Sequence, residues 1–122
     1  MDFLPDKEFH IIFDRISRKV NLQGAYTPDE IDRRLKHRIK ADEFAIESGY
    51  LEDEKTKRRF KRDKKNLKKL VRQGFAERTI AYARRHPDDK VALTLHHGYA
   101  KAKEILLARS RRFKYMLRKR RR

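Results

Sequence analysis

The sequence predicts an all-α protein: a small bundle of three to four helices with one long basic helix and a projecting basic C-terminal arm. Three observations carry this expectation. Apolar residues recur at i, i+3 and i+4, and no segment alternates with the period of a strand. Only four Gly and three Pro interrupt 122 residues, and they fall where helices should begin or end. No internal repeat is present, and helices that each carry one apolar stripe bury it against one another.

The first helix is expected over residues 6–20, where Phe9, Ile12, Phe13, Ile16 and Val20 form one stripe. Residues 21–26, with Gly24, read as a loop. Thr27-Pro28-Asp29-Glu30 is a helix start: Thr27 caps, Pro28 suits the first helical position, and Glu30 completes a capping box. The second helix runs to about residue 47, with Ile31, Leu35, Ile39 and Ile46 on one face, and Ser48-Gly49 closes it. A third helix is expected over about residues 53–85, roughly 50 Å at 1.5 Å per residue, with Gly74 as a point of bending or division. Its apolar face is Phe60, Leu67, Leu70, Val71, Phe75, Ala81 and Tyr82. Pro87 ends it, and Pro87-Asp88-Asp89 opens a fourth helix from about residue 88, with negative charge at its positive end. The fourth stripe is Val91, Leu95, Gly98, Ala102 and Ile105/Leu106, then Phe113 and Met116.

Charge divides the chain sharply. Residues 1–54 hold nine Lys/Arg against thirteen Asp/Glu, a net of −4, and residues 55–122 hold twenty-six against five, a net of +21. With 38% hydrophobic and 43% charged residues the core is lean, so part of the chain is expected to lean on a partner or stay extended. Residues 1–108 are expected to form one helical domain and 109–122 a basic extension. The absence of Cys removes disulfides, cysteine zinc sites and thiol catalysis together. No apolar run approaches the ~20 residues that span a bilayer. The acidic opening, Met1-Asp2-Phe3-Leu4-Pro5-Asp6, is unlike a secretory signal or an Arg-rich transit peptide.

The third helix carries the main functional signal. Ten of the fifteen residues 55–69 are Lys or Arg, and only Asp63 breaks the sign. Lys57, Lys61, Lys64, Lys68 and Arg72 form one helical row, and Arg58, Arg62, Lys65 and Lys69 the adjoining one. An apolar stripe would hold this helix to the protein while the cationic rows face outward. Like charges at i, i+4 repel by a few tenths of a kcal/mol per pair, and a polyanion relieves that repulsion. A solvated face normally mixes signs, which this one does not. The second basic region holds nine Lys/Arg in residues 109–122: Arg109, Arg111, Arg112, Lys114, Arg118, Lys119, Arg120, Arg121 and Arg122. Phe113, Tyr115, Met116 and Leu117 are interleaved with them, as core extension or as stacking groups for unpaired bases. Arg109 falls in the middle of the fourth stripe, so the helix is expected to leave the protein body there. In a eukaryotic host the final five residues would also suit a nuclear localisation signal.

Other groupings are read as structural. His96 and His97 are adjacent, about 100° apart on a helix, and cannot chelate a metal as an i, i+4 pair does. His86 with Asp88 and Asp89 marks a helix junction. Arg38 and Asp42 are expected to form an i, i+4 pair beside the second apolar stripe. No carboxylate pair, Gly-rich phosphate loop, zinc spacing or nucleophile elbow is visible, so no enzyme and no cofactor or metal are expected.

The acidic half is expected to cover the apolar faces of the later helices, to keep its side off a polyanion, and to offer a dock for a neighbouring protein. The expected function is a non-enzymatic RNA-binding structural component of a ribonucleoprotein particle, intracellular and ribosome- or nucleic-acid-associated. Dense Lys/Arg helices with a basic terminus resemble small ribosomal proteins in general character. RNA is preferred to DNA because no helix-turn-helix, basic zipper or ribbon would place base-reading side chains in a major groove. The alternative is a DNA-binding accessory protein of a phage, plasmid or chromosome. A membrane-surface helix is the third class, disfavoured by the lack of bulky apolar residues on the third helix outside its core stripe.

Overall fold

The computed structural model describes residues 6–120, and every regular element among them is an α-helix. The order is α1 (Asp6–Lys19), α2 (Pro28–Glu47), α3 (Glu54–Arg72), α4 (Phe75–Arg85), α5 (Lys90–His97) and α6 (Tyr99–Arg120). The count of six, rather than three or four, comes from two glycines.

Gly74 divides the expected third helix. It sits at φ 74°, a left-handed conformation that only glycine adopts without strain, between α3 and α4. Gly98 divides the expected fourth helix. Its φ of 92° and ψ of 166° lie in a region essentially reserved for glycine, so it is a joint and not a member of a continuous stripe. A Cβ on Gly98 would also lie 3.5 Å from the Gln23 amide oxygen, so the joint is packed against the α1–α2 loop.

Local capping sets most other boundaries. The Thr27 hydroxyl accepts the Glu30 amide at 3.2 Å, with Pro28 in the first turn. Ser48 caps α2, followed by Gly49 at φ 74°. The Asp53 carboxylate accepts the Lys55 amide and the Thr56 hydroxyl, and Asp89 accepts the Val91 amide at 2.8 Å. α5 thus begins after Asp89, two residues later than the proline alone implies.

One core joins the first five helices: Phe9, Phe13, Ile16 and Val20 from α1, Ile31, Leu35 and Ile39 from α2, Leu67 and Leu70 from α3, and Phe75, Ile80, Val91 and Leu95 from α4 and α5. Phe9 packs its ring on Phe75 and Tyr82, so large aromatics bridge α1 to α4. Nine of the sixteen core residues precede residue 55, so the acidic half is more than a cover. α2 packs along α3 and also meets α4, while α6 lies against α5. Ala81, expected on the apolar face, is exposed, and Phe60, Ile46, Ile105 and Leu106 are half-buried. No described helix is long and apolar enough to cross a membrane.

Candidate nucleic-acid interface

α3 is held by Leu67, fully buried, and Leu70, with Phe60 and Val71 half-buried beside them. At ~100° per residue, the direction opposite Leu67 is occupied by Arg58, Lys61, Arg62, Lys65, Lys69 and Arg72. All six are exposed, and none has a carboxylate within ion-pair distance among the described residues. Their arc is about 100° wide and, from residue 58 to 72, about 21 Å long.

The remaining lysines of the basic run are placed differently. Lys64 and Lys68 lie toward α2, where Glu43 Oε1 meets their ammonium groups at 3.6 and 3.4 Å. Lys57 is half-buried and reaches Glu54 at 3.6 Å. The two helical rows are therefore not equivalent: Glu43 crosses from the neighbouring helix and partly neutralises one of them. Asp63 is held by Lys19 of α1.

In α6, Arg109, Arg111, Arg112, Lys114 and Arg118 are exposed. The Arg109 guanidinium donates to the Asp88 carbonyl at 3.1 Å, which ties this part of α6 to the α4–α5 turn. Ala102 is buried, but residues 107–112 are all exposed. The helix itself runs through residue 108 without a break. The side chains of Phe113, Tyr115, Met116, Leu117, Lys119 and Arg120, with Arg121 and Arg122 entire, lie outside the described residues.

Two clefts bring in cations that the linear pattern does not single out. One of about 450 Å³ lies between α1 and α3 and adds Arg15 and Arg59 to Arg62 and Lys69. The only available signal was that Arg59 flanks the outward row to which Arg62 and Lys69 belong; their meeting with Arg15 depends on which helices are neighbours. The other, about 610 Å³, lies between the end of α1 and α2 and is lined by Lys19, Arg33, Arg34, His37 and Arg38. Its cations are largely committed: Glu30 pairs with Arg33 and Arg34 at 3.1 Å, Asp42 with Arg38 at 3.3 Å, and Asp63 with Lys19. Arg34 also donates to the Asn21 and Gln23 carbonyls, so it fastens the loop.

The carboxylates are perturbed by their structural settings. Burial pushes the Asp42 carboxyl above 3.8, against the pull of Arg38. The hydrogen bond from Lys90 holds Asp14 below 3.8. His96 meets Tyr26 at 3.2 Å and the edge of His97, and no group of three or more His, Asp or Glu among the described residues is placed to hold a metal ion. No family model, curated protein or solved structure matches the chain.

Proposed function

We propose that this protein is a non-enzymatic RNA-binding structural component of a ribonucleoprotein particle, meeting the phosphate backbone through α3 and the basic part of α6. The observation that carries this is the outer face of α3: six exposed cations without a carboxylate neighbour among the described residues. A strip of about 21 Å is long enough to meet several successive phosphates of one strand. Arg109, Arg111, Arg112, Lys114 and Arg118 supply a second basic surface, continued in sequence by Lys119 to Arg122. Lys57, Lys64 and Lys68 contribute less, because Glu54 and Glu43 already meet them.

Crosslinking followed by sequencing of the bound nucleic acid from the native host tests this reading. Recovery of one structured RNA region supports it. Recovery of DNA alone, or preference for matched duplex DNA in direct competition with structured RNA, replaces it with the DNA-binding alternative.

A further inference from the structure

The cleft between α1 and α3 combines two properties that a phosphate strip does not need together. Its floor is apolar: Ile16, Leu67 and Leu70 are core residues, and Ile12 is half-buried above them. Its rim is cationic: Arg15 rises from α1, and Arg59, Arg62 and Lys69 from α3. All four are exposed and have no carboxylate within ion-pair distance among the described residues, while the one acid of the lining, Asp63, is taken by Lys19. Asn66 and Gln73 add two amides, each able to donate and accept. The volume of about 450 Å³ is within the range of small-ligand sites.

A duplex presents its phosphates with the bases stacked inside, so it would rest on the rim and leave the apolar floor empty. A group with a flat apolar face, a hydrogen-bonding edge and anionic flanks uses every part of the cleft. Protein recognition of unpaired RNA relies on such parts: splayed bases, guanidinium planes and edge contacts. Arg62 and Lys69 belong both to the cleft and to the outer face of α3, so a strand following that face reaches the cleft without leaving its cations. We infer that the α1–α3 cleft receives an unpaired nucleotide of the bound RNA, with its base over Ile12 and Leu70, its edge at Asn66 and Gln73, and its phosphates at Arg15, Arg59, Arg62 and Lys69. This rests on the RNA-binding reading above and narrows its target to RNA with a bulge or loop.

The test uses the full chain and three hairpin RNAs that differ at one position: fully paired, with a one-nucleotide bulge, and with an abasic bulge. The abasic form keeps the phosphates and removes the base. Kd is read by fluorescence anisotropy. The bulged hairpin is expected to bind about fivefold or more tighter than the abasic one, the low end of the effect of a stacked base, since aliphatic and guanidinium groups rather than aromatic rings meet it here. In the double variant Arg59→Gln, Asn66→Ala that ratio should fall toward one, with most of the affinity for the abasic hairpin retained. Both positions are exposed, so the variant should keep its fold, checked by circular dichroism. Equal binding of bulged and abasic hairpins, with salt-dependent affinity intact, overturns the cleft assignment alone. Failure to bind any of the three at 50 mM salt overturns the RNA-binding reading itself.

Discussion

The inequality between the two sides of α3 can be measured as a salt slope. On the outer side, Arg58, Lys65 and Arg72 stand clear of carboxylates among the described residues and clear of the α1–α3 cleft. On the α2 side, Lys57, Lys64 and Lys68 lie 3.4–3.6 Å from Glu54 or Glu43. Each phosphate neutralised on a single strand contributes about −0.7 to the slope of log K against log salt. Six outer cations therefore contribute about −4 to the slope, or roughly 300-fold of the weakening between 50 and 200 mM salt. On a duplex the same contacts give about 10³-fold. Replacing Arg58, Lys65 and Arg72 with Gln removes half the contacts of this face. The slope should fall by about 2, which shrinks the salt effect between 50 and 200 mM roughly 20-fold. Replacing Lys57, Lys64 and Lys68 with Gln should change it by less than about 1, because Glu54 and Glu43 already meet these ammonium groups and leave them few phosphates to neutralise. Anisotropy titrations of an RNA hairpin at four salt concentrations give all three slopes. Because the outer residues are exposed, that triple variant should hold its thermal stability. A larger slope change for the α2-side triple, or a flat salt dependence in the unmodified protein, refutes the assignment. Charge reversal at Lys61, Lys64 and Lys68, three members of one helical row, mixes the two sides and would set Glu43 against two new acids.

Further outcomes follow from single positions. Leu67, fully buried where α3 meets the core, should cost about 2–5 kcal/mol as Leu67→Ala in urea denaturation, and a loss under 1 kcal/mol would contradict its placement. Gly98→Ala should destabilise by about 1–3 kcal/mol, because alanine strains at φ 92° and ψ 166°; an unchanged melting temperature would contradict the joint between α5 and α6. Thr27→Ala removes the α2 cap and should cost about 1 kcal/mol in the same assay. For Asp42 the folded carboxyl lies above 3.8, so its contribution to stability falls as pH rises from 3.8 through that raised value. Asp42→Asn removes this slope, so urea midpoints should shift in favour of Asn as pH rises over that window; a constant or opposite difference rejects the burial effect.

The parts of the fold that could be read from the sequence are those fixed by local chemistry. Thr27, Pro28, Ser48 and Gly49 bound α2 because a cap is satisfied within four residues. Gly98 was hidden because an apolar stripe counts spacing and is blind to a positive φ. The partner that packs against this joint, Gln23, is also distant in sequence. Ala81 fits an apolar stripe by spacing but is small enough to sit in solvent at little cost. The outward row of α3 was legible because 3.6-residue periodicity alone puts Arg58, Arg62, Lys65 and Lys69 opposite Leu67. Neutralisation by Glu43 was not, since it needs α2 laid along α3, and neither was the meeting of Arg15 with Arg59.

The division of charge by sequence, −4 against +21, understates how the molecule presents itself. Many carboxylates of the first half are engaged inside the protein: Asp14 with Lys90 and Arg18, Glu30 with Arg33 and Arg34, Asp42 with Arg38, and Glu43 with Lys64 and Lys68. Some of these pairs neutralise cations of the acidic half itself, so the α1–α2 cleft has much of its charge cancelled despite its arginines. Others reach into the basic half and quench one side of α3. What a polyanion meets is therefore the set of cations that no carboxylate reaches, not the net charge of either half. Among the described residues that set is concentrated on the outer face of α3, at the rim of the α1–α3 cleft and along residues 109–118 of α6. Glu43 closes the α2 side of α3, while Asp63, which faces α1, is held by Lys19 and leaves the rest of that rim cationic, so under the proposed function a bound strand is drawn toward the α1 side.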